Sequence, residues 1–281
     1  MADPQQDRAG QAPPQPDDSQ VWQTVPLADE PGDADSSFAR RLAAMQPDGQ
    51  SKLVVGEGAP PEAIEQYRRL GAVMYQAQAD RGTRVVMITS TVPAEGKSLT
   101  ATNLALTLSE SYRQRVLLVD ADLRRPTLHS VFQIPNLAGI SDWLKGDGTG
   151  RMPLVQLTRR LALLPGGRPD HDPMSALVSD RMKYVLARAS ERFDWVILDT
   201  PPVAGLPDGH LLSALVDTIV FVVAAGRTPA AAVQRAVEQL GRDRIIGVVL
   251  NRVEGRSLQA YGHGSHYERY RYQASPKEEA R

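Results

Sequence analysis

The sequence predicts an α/β fold: a mostly parallel sheet with helices on both faces, set between a disordered leader and a tyrosine-rich tail. Three observations predict it. Six short apolar runs, rich in Val, Ile and Leu, read as strands buried on both faces. Helix-like stretches separate most of them, which is the alternation that parallel crossovers require. Two of the runs end in Asp and a third leads into a Gly-Lys-Ser loop, at the strand ends where an open parallel sheet gathers its ligands. The 281 residues, 42% of them hydrophobic, are enough for one large domain with tails or for two small domains.

Residues 1–60 hold ten acidic against four basic residues and eight prolines. Such a segment buries too little apolar surface to offset its ordering entropy, so it reads as a solvated leader. A folded domain is expected over residues 61–255. Its first helix is expected near Glu62–Ala79, followed by a strand over Arg84–Ser90, a helix over Lys97–Tyr112 and a strand over Val116–Asp120. Further on, the pattern predicts strands at Leu161–Pro165, Trp195–Asp199, Thr218–Ala224 and Ile245–Asn251, with helices near Met174–Arg192 and Pro229–Leu240. Beyond Asn251 the apolar pattern stops. Residues 256–281 contain one Leu and no Ile, Val or Phe, yet carry Tyr261, Tyr267, Tyr270 and Tyr272, half of the chain's eight tyrosines. A flexible tail with exposed tyrosines is expected there.

Composition excludes several kinds of chemistry. With no cysteine there are no disulfides, thiolate zinc sites or cysteine nucleophiles, and the chain suits a reducing compartment. The 32 Lys+Arg against 33 Asp+Glu give no overall basic field, so nucleic acid is not an expected partner. The N-terminal residues lack the basic and apolar regions of an export signal. The most apolar stretch, Ile219–Ala225, falls well short of the roughly 20 residues of a spanning helix. A soluble protein is expected. His263 and His266 are too few for a metal site.

The strand ending at Ser90 runs into Thr91-Val-Pro-Ala-Glu-Gly-Lys-Ser98 and then a helical stretch. Strand, loop, Gly-Lys-Ser and helix form the layout of a nucleotide phosphate site. Loop amides and the helix N-terminus face phosphate oxygens, Lys97 supplies charge to the outer phosphates, and Ser98 offers a hydroxyl to Mg²⁺. Pro93, Ala94, Glu95, Gly96, Lys97, Ser98 and Leu99 are therefore candidate nucleotide-binding residues. The usual first glycine of such loops is replaced by Thr91.

Two more strands end in carboxylates: Val116–Val119 leads to Asp120-Ala-Asp122-Leu-Arg124, and Trp195–Leu198 to Asp199-Thr-Pro-Pro202. A magnesium ion between nucleotide phosphates takes hard oxygen ligands, and a strand end supplies them from a rigid support. Carboxylates this close need a cation between them. Asp120, Asp122 and Asp199 are candidates for catalysis and, with Ser98, for metal binding. The residues leave open which Asp is a base and which a ligand.

Together these motifs resemble the bacterial protein-tyrosine kinases, P-loop NTPase-like enzymes of capsular and exopolysaccharide export. The resemblance covers roughly Glu62 to Gly255 and the tyrosine tail. The family's S-x-x-P-x-E-G-K-[ST] is matched by Ser90, Pro93, Glu95, Gly96, Lys97 and Ser98. Its D-x-D-x-R is matched by Asp120, Asp122 and Arg124, and its D-[ST]-P-P by Asp199, Thr200, Pro201 and Pro202. The resemblance places Asn251 beside adenine. It implies ATP and Mg²⁺ as cofactors, the tail tyrosines Tyr261, Tyr267, Tyr270 and Tyr272 as phosphoacceptors, and a regulatory role in polysaccharide export. It also implies a membrane-embedded co-polymerase as activator, a cognate tyrosine phosphatase, and a cytoplasmic location against the inner face of the plasma membrane through that activator. The family's E-x-x-R-x-x-R on the first helix is matched at Glu65 and Arg68 but ends in Gly71, so a weakened homo-oligomer is expected. The alternative is an ATPase switch like MinD or ParA. Those proteins carry a second lysine early in the loop, at the position that Val92 occupies here.

Overall fold

The computed structural model describes residues 22–26, 53–54, 59–146 and 151–253. In chain order the elements are β1 (Trp22–Pro26), α1 (Pro61–Arg81), β2 (Val85–Ser90), α2 (Lys97–Glu110) and β3 (Val116–Asp120). The short helices α3 (Leu128–Val131) and α4 (Ile140–Lys145) come next, followed by β4 (Met152–Gln156), β5 (Leu161–Leu164), α5 (Met174–Leu177) and α6 (Asp180–Arg192). Then come β6 (Trp195–Asp199), α7 (Asp208–Ser213), β7 (Thr218–Ala224), α8 (Ala230–Leu240) and β8 (Ile245–Asn251). They form one eight-stranded sheet in the order β1-β4-β5-β3-β6-β2-β7-β8. Every pairing is parallel except β4 with β5, so the sheet is mostly parallel as predicted.

Strand alternation divides the core into two layers. Met87, Leu117, Val119, Val196, Leu198 and Phe221 face one layer, where Met182, Val185 and Ala189 of α6 cover them. Val86, Ile88, Leu118, Ile197, Val220 and Val222 face the other, under Leu104, Ala105 and Leu108 of α2. Because α2 is sandwiched between the sheet and α1, it is buried almost all round. That explains its mixed Leu, Ala and Thr composition, which lacks a polar stripe. On α1 the buried residues are Gly71, Met74 and Ala77, one per turn.

The loop structure departs from the sequence expectations in several places. Part of the expected leader belongs to the sheet: β1 pairs with β4, and Trp22 is buried. Leu53 and Val54 are also buried, and the Val54 amide donates to Asn103 Oδ1 at 3.0 Å. The expected helix over Met174–Arg192 is two helices, because Ser179 adopts extended backbone and its hydroxyl caps α6 through the Met182 amide. Strand β4 escapes the pattern because Pro153 interrupts its apolar run, and Pro fits the periphery of a sheet better than its centre. The remaining tail, with its four tyrosines, lies outside the described residues. Among the described residues no helix is long and apolar enough to cross a membrane.

Gly71 has a structural counterpart in Tyr112. A Cβ at position 71 would lie 2.6 Å from Tyr112 Cε2, and the Tyr112 hydroxyl donates to the Arg68 carbonyl at 2.7 Å. Arg69, the nearest cation that can stand in for the missing arginine, pairs with Glu65 of its own helix at 3.6 Å.

Candidate active site

The centres of the sheet, β3, β6 and β2, end side by side. Asp120 and Asp199 are register partners across β3 and β6, and Ile88, two residues before the loop, pairs with Asp199 from the other side. The Thr200 hydroxyl donates to the Ile88 carbonyl at 3.0 Å and the Thr89 hydroxyl to the Pro201 carbonyl at 2.9 Å, which ties the Asp199 turn to the phosphate loop.

The loop itself is bent through two left-handed residues, Ala94 (φ 66°) and Gly96 (φ 98°). At Ala94 this costs of order 1 kcal/mol. At Gly96 there is no room for any side chain, because a Cβ would fall 1.9 Å from Asn251 Nδ2. Asn251, at the end of β8, donates from that nitrogen to the Glu95 carbonyl at 2.8 Å. The sequence-predicted Asn251 therefore does reach the loop, and it does so by bracing its backbone.

Lys97 is buried and turned toward the acids. Its Nζ is 3.1 Å from Asp122 Oδ2, 3.5 Å from Asp199 Oδ1 and 3.4 Å from Ser98 Oγ. Burial works against its charge, but Asp199, Asp122 and Asp120 outweigh it and hold the ammonium pKa above its ordinary value. Asp120 is fully buried, and its Oδ2 accepts the Thr127 and Leu128 amides at 2.8 and 2.9 Å. Burial, reinforced by the charge of Asp199, pushes Asp120 up to about 8 against the opposing pull of the two amides and Lys97. Burial likewise raises Asp199, with Lys97 and Ser98 pulling it down and Asp122 pushing it up.

Three buried carboxylates thus share one ammonium. Among the described residues, Asp120 Oδ1 and both Asp199 oxygens lack a close hydrogen-bond partner, Asp199 Oδ1 having only its 3.5 Å ion pair with Lys97. Orphaned hard oxygens beside Ser98 and an anion-binding loop fit a divalent cation of the magnesium kind. The described residues contain no ready-made group of three acidic or histidine side chains to cage a metal unaided.

A cleft of about 620 Å³ opens over this floor. Pro93, Ala94, Gly96, Lys97, Ser98 and Leu99 line one side of it. Asp122, Arg124, Thr127 and Pro201 are also in its wall, whereas Asp120 and Asp199 are fully buried and do not line it; Asp199 meets it through Lys97, 3.5 Å from its Oδ1. Sequence reasoning missed several contributors. Thr127 donates its amide to Asp120 and its hydroxyl to Ser98 at 3.2 Å. Asp208, buried at the start of α7, holds Arg124 through two contacts of 2.5 and 3.1 Å. No local pattern could reveal a partner 84 residues away. Gly166 packs against Pro126, where a Cβ would come within 2.6 Å, and so lets the Asp120 loop close.

Residues 86–264 match the CobQ/CobB/MinD/ParA nucleotide binding domain. The tyrosine-protein kinase YwqD of Bacillus subtilis (strain 168) is 34% identical over 206 residues, spanning 72% of this chain and 85% of that protein. The chain belongs to the bacterial tyrosine kinases. The kinase domain of the Escherichia coli tyrosine kinase ETK is a structural relative of this kinase, with a TM-score of 0.62 and 26% identity over 83% of this chain and 92% of that one. The succinoglycan biosynthesis transport protein ExoP of Rhizobium meliloti (strain 1021) is 32% identical over 214 residues. That match takes in 74% of the kinase but only 27% of ExoP.

Proposed function

We propose that this kinase transfers the γ-phosphoryl group of ATP to tyrosine hydroxyls of its own tail, Tyr261, Tyr267, Tyr270 and Tyr272. The observation that carries this reading is the clustering of Lys97 and Asp122, which line a cleft walled by the phosphate loop, with the buried Asp199 and its register partner Asp120. Loop amides and Lys97 neutralise charge that spreads over the transferring group. To do so Lys97 exchanges its present contact with Asp122 for phosphate oxygens. Asp120 is assigned to orient or deprotonate the phenol; burial holds its pKa at about 8 in the nucleotide-free site, so at neutral pH its ionised, proton-accepting form is the minor one. Asp122, Asp199 and Ser98 are the residues that hold Mg²⁺, which when bound neutralises phosphate charge. Asn251, already braced against the loop, lies on the adenine side.

The relative named for succinoglycan biosynthesis and transport supports a role in exopolysaccharide or capsule export. In that setting the kinase works at the inner face of the plasma membrane, docked on a membrane-embedded co-polymerase that activates it and opposed by a tyrosine phosphatase. Subunits meet through α1 more weakly than in relatives with a complete arginine motif, because Gly71 is occupied by the Tyr112 ring. A MinD-like switch lacks its loop lysine here: Val92 is aliphatic, and its amide is committed to Glu95 Oε2 at 2.8 Å.

The tail has 5 Lys/Arg and 3 Glu, so two or more phosphates of about −1.5 to −2 charge each turn it strongly negative. Clustered tails then repel, and assembly becomes cyclic. The test mixes an inactive Lys97→Met chain carrying an intact tail with a wild-type core truncated after Gly255. Phosphate on the inactive chain is expected. None there, with a concentration-independent rate for the full chain, means transfer within one subunit.

A further inference from the structure

We propose that the Glu95 side chain is a positioning residue: a buried strut that holds the phosphate loop open for nucleotide by fastening it to the turn after β7. The proposal rests on the nucleotide-site reading above and assigns a task to a side chain that the reading leaves idle. Glu95 is 1% exposed, and its carboxylate points away from the cleft that its neighbours Ala94 and Gly96 line. Oε2 accepts the Val92 amide at 2.8 Å, within the loop. Oε1 accepts the Ala224 amide at 3.0 Å, at the last residue of β7, and the hydroxyl of Thr228. One carboxylate thus ties both the start of the loop and the β7 end to one point.

The position is physically expensive, which is why the contacts matter. A buried carboxylate is tolerated only when its oxygens are well bonded, and here three neutral donors supply that bonding. Glu95 also sits between two left-handed residues, so the loop needs an outside restraint to stay in this conformation. Asn251 restrains the Glu95 carbonyl, but from β8 and by one contact. The side chain supplies the other three. When the strut is cut, the loop samples conformations whose amides do not converge, and nucleotide affinity falls in proportion to the competent fraction. Because the turn at 224–228 carries two of the contacts, any partner or modification that shifts Thr228 is transmitted to the phosphate loop.

The experiment measures binding of a fluorescent ATP analogue with Mg²⁺ to the full chain and to Glu95→Gln, Thr228→Val and Thr228→Ser, and thermal melting of each without nucleotide. A loop that is competent about a tenth of the time weakens binding about tenfold, the loss expected for Glu95→Gln. Thr228→Val is expected to lose about threefold, Thr228→Ser to bind like wild type, and Glu95→Gln/Thr228→Val to be no worse than Glu95→Gln alone, since both cut one strut. Nucleotide-free melting temperatures of the Thr228 variants are expected to stay unchanged. Wild-type affinity in Glu95→Gln, or multiplying losses in the double variant, overturns the proposal. If Glu95→Gln does not fold, the Thr228→Val and Thr228→Ser pair decides: equal affinities overturn it. Lys97→Met separates the two readings: if wild type and Lys97→Met both fail to bind, the nucleotide site itself is wrong, whereas a wild-type-like Glu95→Gln beside a weakened Lys97→Met refutes the strut alone.

Discussion

Asp120 and Asp199 face each other as register partners on adjacent parallel strands, both fully buried, with Lys97 as the ammonium they share with Asp122. Burial, reinforced by the neighbouring charge of Asp199, gives Asp120 a folded-state pKa of about 8 against an ordinary value of 3.8. The raised pKa means that the folded chain binds more protons than the unfolded one between about pH 4 and 8. Stability without nucleotide therefore falls as pH rises through that window. Asp120→Asn keeps an oxygen for the Thr127 and Leu128 amides and removes the charge. It is expected to raise the nucleotide-free melting temperature at pH 8 by roughly 3–6 °C, about 1.5 kcal/mol in a domain of this size, and to abolish kinase activity. Melting curves at pH 5 and pH 8 check this; an unchanged pH dependence in the variant contradicts it.

Lys97→Met removes the cation while leaving Asp122 and Asp199 in place. Phosphoryl transfer is expected to fall by about 10²–10³, the usual cost of one preorganised electrostatic contact. The same variant is expected to be destabilised more at pH 8 than at pH 5, because the buried Asp120 and Asp199, whose pKa values burial already raises, are more fully protonated at the lower pH. Parallel rate and melting measurements at the two pH values test both halves.

Asp122→Asn and Asp199→Asn replace carboxylates by weaker ligands for a hard cation. Each is expected to lower the rate, and at least one to shift the magnesium dependence to higher concentration. Titrating rate against magnesium decides: wild-type curves for both remove these residues from metal binding.

Most of the site was legible because its residues are local to strand ends. Lys97, Asp120 and Asp199 each follow an apolar run that buries itself, and a parallel sheet brings such ends together whatever the loops do. The rest depends on distant contacts. Nothing near Arg124 announces Asp208, and nothing near Glu95 announces Ala224 and Thr228. Strand β1 was missed for the opposite reason: Trp22–Pro26 sits in an acidic, proline-rich stretch, and only its pairing with β4 gives it a place in the sheet.

Gly71 illustrates a sequence departure that the structure turns into packing. Restoring the family's arginine alone, Gly71→Arg, drives a Cβ to within 2.6 Å of the Tyr112 ring. It is expected to cost about 1–3 kcal/mol as overpacking. Adding Tyr112→Ser is expected to recover part of that loss. Urea unfolding with matched slopes measures it; a double variant no more stable than Gly71→Arg contradicts the clash.

The most direct measurement is mass spectrometry of the full chain incubated with ATP and Mg²⁺, beside Lys97→Met treated identically. Phosphotyrosine on Tyr261, Tyr267, Tyr270 or Tyr272 is expected in the wild type, and a rate of its formation about 10²–10³ lower in the variant. ATP hydrolysis without phosphotyrosine in the wild type, or undiminished phosphotyrosine in Lys97→Met, contradicts a tyrosine kinase built on this site.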